Sequence, residues 1–268
     1  MKTRYIWIPC ENAQLSAELH IPDAVPAPAL LLCHGLDAQG YHYLKFYTQF
    51  AQEACKAGFV VLVFDFRGVG KSSGNFGYGI GEQQDVRCAL KYLSSRPEVF
   101  GDRLFIVGHS LGGAVSLYAA RDDERIKGLV VWSTPKNHDY NVKKFIRRNR
   151  GMLGLWLFYI FSIIDKFVGT SRLFKLQVYG IQLRPRYVRE KLMKLNEVEA
   201  VSKLNLPVLV VIGKDDMIVG VDEAQAVFDS AKEPKDLFVI EGADHNYRGK
   251  ENELIQKTLA WMRKVGAR

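Results

Sequence analysis

The chain has 268 residues, 48% of them hydrophobic and 25% charged, with a formal net charge of +8. These proportions exclude a disordered chain, and the length suffices for one α/β domain that buries a large core and carries an insertion. The opening run, residues 1–11, holds too few consecutive apolar residues for a secretory leader, so a cytoplasmic protein is expected. Cys10, Cys33, Cys55 and Cys88 are widely spaced, with no C-x-x-C pair, and three of them lie in apolar segments. That usage predicts buried free thiols in a reducing compartment rather than a disulfide framework.

Residues 3–9 and 14–21 alternate apolar and polar around Glu11-Asn12-Ala13, which predicts an antiparallel hairpin at a sheet edge. A proline-rich link, residues 22–28, leads into the buried strand 29–33 and then His34-Gly35. Residues 45–57 are amphipathic and stop at Gly58, as a helix does. Residues 59–64 form the next apolar strand, 81–94 a helix, 104–107 a strand, and 126–132 another. After a long interruption come a strand at 207–212, a helix near 221–231, a strand at 236–240 and a final helix from 251 to about 265. Strands that are apolar throughout, alternating with helices, predict a mostly parallel sheet covered on both faces.

Gly70-Lys71-Ser72 hints at a phosphate-binding loop. That loop needs a further glycine at position 65, where this chain has aspartate, and Gly74 falls one residue late for a dinucleotide pattern. A structural turn, with Asp65 and Arg67 tying loops together, is the better reading. No metal-ligand spacing appears, so neither a metal nor any other cofactor is expected.

The segment 104–120 passes from a strand-like run through Gly108-His109-Ser110-Leu111-Gly112-Gly113 into an Ala- and Leu-rich helix. A serine on such a strand-to-helix turn projects its hydroxyl above the sheet edge, and the glycines leave room for the turn. Serine needs a neighbouring imidazole to take its proton and a carboxylate to hold that imidazole. Two later loops supply both, each just past a strand: Gly213-Lys214-Asp215-Asp216 and Asp244-His245-Asn246. His34-Gly35-Leu36 follows an earlier strand, where the Leu36 N–H can face an oxyanion beside the N–H of Leu111. His34 and His109 flank these turns and are expected to make local hydrogen bonds; Asp244 is expected to shape its loop.

Taken in order, these motifs and Asp65-x-Arg67-Gly68-x-Gly70-x-Ser72 resemble the α/β-hydrolase family, over nearly the whole chain apart from 134–200. The resemblance implies Ser110 as nucleophile, Asp216 rather than Asp215 as the acid, and His245 as the base. It also implies residues 1–133 and 201–268 as the hydrolase core, with 134–200 as a helical cap after the sixth strand. That insertion holds 14 Lys/Arg against 5 Asp/Glu, a net of +9, while the remainder holds 23 against 24. Its apolar stretch 151–164 follows Arg147, Arg148 and Arg150 and is short of the ~20 residues a bilayer-crossing helix needs. The stretch is either the cap's own core, the lining of an acyl or aromatic pocket through Leu157 and Phe161, or a rest for weak contact with an anionic membrane surface. A nucleic-acid surface is not expected, because the charges enclose an apolar run rather than aromatic platforms.

The expected activity is that of a serine carboxylic-ester hydrolase acting on a small-molecule ester, resembling esterases and monoacylglycerol-lipase-like enzymes. A thioesterase, acyltransferase or small-peptide hydrolase would use the same triad, and a binding module that had lost turnover is the alternative outside the enzymes.

Overall fold

The computed structural model describes residues 1–168 and 176–266; residues 169–175 of the insertion lie outside the described residues. The edge hairpin is β1 (Lys2–Cys10) and β2 (Ala13–Ile21), paired antiparallel from Lys2 opposite Ile21 to Cys10 opposite Ala13. The core strands are β3 (Ala27–Cys33), β4 (Val60–Phe64), β5 (Val99–His109) and β6 (Ile126–Trp132), all parallel.

Between them run α1 (Lys45–Lys56), α2 (Gly81–Ser94) and α3 (Leu111–Ala119). The insertion follows β6. It contains α4 (His138–Val168), a short hairpin of β7 (Leu176–Val178) and β8 (Ile181–Leu183), and helices α5 (Pro185–Glu190) and α6 (Glu197–Ser202). The chain then returns as β9 (Val208–Gly213), α7 (Val221–Ser230), β10 (Lys235–Ile240) and α8 (Glu251–Gly266).

The eight-stranded sheet has the order β1-β2-β4-β3-β5-β6-β9-β10. Side chains alternate across it, so Leu30 and Leu32 enter one apolar layer while Ala29, Leu31 and Cys33 enter the other. Helices α1 and α8 pack on the first face; α2, α3, α6 and α7 cover the second. From β3 the chain moves to β4 on one side, and β5 lies on the other. The crevice beyond the carboxyl ends of β3 and β5 is therefore the switch point where open parallel sheets collect their chemistry.

One expectation needs correction. Cys10 and Cys88 are joined in a disulfide, with Cα atoms 5.7 Å apart, because α2 lies over β1 and brings the end of the edge strand against its own middle turns. Cys33 and Cys55 are free and buried. The insertion is helical, as expected, and also carries a hairpin: Tyr179 (φ 45°) and Gly180 (φ 79°) form the two-residue turn between β7 and β8, a pairing of left-handed residues that suits a tight hairpin. Finally, α4 is broken at Gly151, whose φ of 64° and ψ of −168° are not helical.

The Gly70-Lys71 loop holds a side chain of the protein itself. The Asp65 carboxylate accepts the N–H groups of Tyr41 (3.0 Å) and Lys71 (2.9 Å), and Arg67 Nη2 pairs with Asp85 at 2.7 Å. A Cβ at Gly70 would lie 2.2 Å from the Asp65 carboxylate, so only glycine permits that closure.

Candidate active site

Ser110 sits between β5 and α3 with φ 52° and ψ −117°, a left-handed conformation that a non-glycine residue adopts at a cost of about 1–3 kcal/mol. The surroundings enforce it. Ser110 N–H donates to the Trp132 carbonyl at 2.8 Å, and a Cβ at Gly112 would come within 2.3 Å of the Cys33 carbonyl oxygen. The turn after β3 therefore packs directly on the turn after β5. The Leu36 backbone lines the same cleft as Ser110, and Leu111, buried, opens α3, whose first N–H groups have no intrahelical acceptor.

Asp216 and His245 arrive from the ends of β9 and β10, whose last residues, Gly213 and Ile240, are paired. His245 Nδ1 donates to Asp216 Oδ2 at 2.8 Å. The other carboxylate oxygen, Oδ1, accepts the N–H groups of Ile218 and Val219, both at 2.9 Å. Burial would raise the Asp216 pKa, but the His245 hydrogen bond and charge together with these two N–H groups outweigh it and hold the carboxyl below its ordinary value. With Nδ1 as donor, His245 Nε2 is left as an acceptor. His245 and Ser110 line one cleft. Neighbouring Asp215 is exposed, whereas Asp216 is buried and holds the hydrogen bond to His245. Asp244 caps its own loop, accepting the N–H groups of Asn246 and Arg248 at 3.0 Å.

Two histidines do more than local work. His34 Nε2 accepts the Phe66 N–H at 3.1 Å, so its Nδ1 donates to the Gly35 carbonyl, and the ring braces the loop after β3 against the loop after β4. His109 belongs to a longer chain: Gly35 N–H donates to Tyr47 Oη (3.0 Å), Tyr47 O–H to His109 Nδ1 (2.6 Å), and His109 Nε2–H to the His245 carbonyl (2.9 Å). Burial, and then the charge of His245, pull the His109 pKa down to about 3, so the ring stays neutral with one donor and one acceptor nitrogen. This chain links the turn before Leu36 to the histidine loop.

The insertion reaches this cleft. Tyr179, at the tip of the β7–β8 hairpin, lines the cleft beside Tyr43, with ring centroids 6.1 Å apart, and its carbonyl accepts the Ala38 N–H at 2.9 Å. The cleft is half open and holds about 30 Å³ of space, room for a water or two. Leu157 and Phe161 are not among its lining residues; both are half-buried and pack against the larger apolar core.

Neither Tyr179 nor the Tyr47–His109 chain is visible as a motif. The one local signal was the alternating Leu176-Gln-Val-Tyr-Gly-Ile-Gln-Leu183, a hairpin pattern around Tyr-Gly.

Sequence comparison agrees with this geometry. A profile described as the alpha/beta hydrolase family matches residues 30–251. The chain belongs to the alpha/beta hydrolase family. Among its relatives, an uncharacterized 31.7 kDa Escherichia coli protein from the traX-finO intergenic region is 24% identical over 256 residues, covering 86% of this hydrolase and 88% of the relative. The polyketide transferase af380 of Aspergillus fumigatus is 25% identical over 293 residues, covering 95% of each chain. In fold, the hydrolase resembles Est1E of Butyrivibrio proteoclasticus, solved with ferulic acid bound, at a TM-score of 0.78 and 23% identity over 98% of this chain and 100% of that one.

Proposed function

We propose that the protein is a serine hydrolase that cleaves carboxylic esters through an acyl-enzyme. Residues 1–133 and 201–268 act as the catalytic core, and residues 134–200 as the cap that selects the acyl group. The observation that carries this reading is the buried Asp216–His245 pair opening on the same cleft as the strained Ser110.

Ser110 Oγ attacks the ester carbonyl carbon while His245 Nε2 takes its proton; Asp216 holds the ring in the required tautomer and stabilises the imidazolium. The oxyanion rests on the N–H groups of Leu36 and Leu111, aided by the positive end of α3. His245 then gives the proton to the leaving alcohol, the carbonyl–alkoxy bond breaks, and water repeats the sequence on the acyl-Ser110 ester. A neutral His109 serves here: its charge would oppose the imidazolium that forms next to it.

Transfer of the acyl group to an acceptor other than water is the second reading. It is supported by the polyketide transferase, which matches along 95% of both chains. A panel of p-nitrophenyl esters of graded acyl length, assayed with and without added alcohol or amine acceptors, tests both. Hydrolysis that is indifferent to acceptor supports the esterase; turnover that requires one supports the transferase; no acyl release with any ester contradicts both.

A further inference from the structure

The second half of α4, after the break at Gly151, is apolar on two opposite sides. At about 100° per residue, Leu155, Phe158, Ser162 and Asp165 fall on one stripe, and all four are buried. Met152, Leu153, Trp156, Ile163 and Ile164 fall on the other, and this stripe faces solvent: Met152 is 66% exposed, Leu153 67%, Trp156 61% and Ile163 50%. A surface helix needs only its inner stripe to be apolar, and a continuous outer stripe of large side chains marks a contact surface.

The charge around this stripe identifies its occupant. Between Asp139 and Asp165 there is no acidic residue, while Lys143, Lys144, Arg147, Arg148 and Arg150 lead directly into it. Arg147, Arg148 and Arg150 are exposed. A second copy of the chain, paired about a two-fold axis, would bring cations of one insertion towards those of the other, each with a net charge of +9. An anionic surface is attracted by the same charges. No helix among the described residues is long and apolar enough to cross a membrane, so an exposed apolar stripe led into by a basic segment suits contact with the interface rather than a crossing.

We infer that the outer face of α4, through Met152, Leu153, Trp156 and Ile163 with Arg147 and Arg150, docks the protein on an anionic lipid bilayer. The docking needs no turnover, so its failure and that of the proposed hydrolase are read separately.

The test is co-sedimentation of the full chain with phosphatidylcholine vesicles, with and without phosphatidylglycerol, at low and high salt. The expected result is partition onto the phosphatidylglycerol vesicles that weakens as salt rises. Leu153→Gln with Trp156→Gln should lower that partition at least tenfold, since each removes a large apolar side chain from the acyl boundary. Arg147→Gln with Arg150→Gln should lower it roughly tenfold on anionic vesicles only. Because all four sites are exposed, unchanged melting curves establish that these variants fold. Trp7→Gln, on the edge strand and equally exposed, should bind as the unaltered protein does, and so should Ser110→Ala. No partition onto anionic vesicles, partition that survives Leu153→Gln with Trp156→Gln, or a concentration-dependent dimer that these two changes abolish would each overturn the inference.

Discussion

Lys144 of α4 donates to the carbonyl oxygen of Ile218 at 3.0 Å, two residues beyond Asp216. Asn141 donates to the same oxygen at 3.0 Å, and Lys144 also reaches the buried Glu223 at 3.1 Å. The segment whose N–H groups hold Asp216 is thus gripped from its other side by α4. Lys144→Met should reduce kcat about tenfold with little change in KM, the scale of one charged hydrogen bond, while Lys144→Arg restores most of it. Equal rates in the Met variant and the unaltered protein would mean that the grip has no bearing on Asp216.

The pair of aspartates is discriminated by burial. Asp216→Asn should cost on the order of 10⁴ in kcat, because an amide neither stabilises the imidazolium nor keeps the ring in the required tautomer. Asp215→Asn, an exposed change, should stay within about twofold of the unaltered rate. Steady-state kinetics on one activated ester measure both, and the reverse ranking would move the role to Asp215.

His109 and His34 give the fold a defined acid sensitivity. Their pKa values lie at about 3 and about 4, below the ordinary 6.5, chiefly because burial disfavours the charged ring. Above pH 6.5 both folded and unfolded chains keep these rings neutral, and they contribute no pH dependence to stability. Below 6.5 the unfolded chain takes up protons that the folded chain refuses, so stability falls as pH falls towards about 4. The slope is up to about 1.4 kcal/mol per pH unit for each ring. Urea titrations across this range should show it, and His109→Gln should make the slope shallower. His109→Phe should also strip the Tyr47 hydroxyl of its acceptor, costing about 1–3 kcal/mol at neutral pH. An unchanged slope in His109→Gln would remove His109 from this account.

Much of this architecture could be read from local sequence because its signals are local. Gly58 ends α1, the apolar runs mark β3 through β6, and each candidate catalytic residue follows directly on a strand end. What could not be read depends on how distant pieces pack. Cys10 pairs with Cys88 only because α2 crosses β1, and His109 finds a carbonyl 136 residues away only because the loop after β10 reaches back across the ends of β9 and β6 to the end of β5. The apolar stretch after Gly151 carries no phase mark to say that one side of it faces water. Tyr179 is brought to the cleft that Ser110 lines by the hairpin's docking on Ala38, a contact between an insertion and a core loop that neither segment announces.

The disulfide closes a loop across a sequence separation of 78. Closure of that size stabilises a fold by about 4 kcal/mol when chain entropy dominates. Dithiothreitol should therefore lower the melting temperature of the unaltered protein by several degrees and leave Cys88→Ala unaffected. A melting temperature insensitive to reductant would show that the bond contributes nothing to stability in solution.

The central claim, that Ser110 is the acyl-accepting nucleophile, is tested most directly by trapping. A fluorophosphonate probe should add one phosphonyl group per chain, located by peptide mass spectrometry on Ser110, and Ser110→Ala should lose both this label and ester turnover, on the order of 10⁶ in kcat, while keeping its melting temperature. Labelling of another residue, or an alanine variant that hydrolyses an activated ester at close to the unaltered rate, would contradict the account.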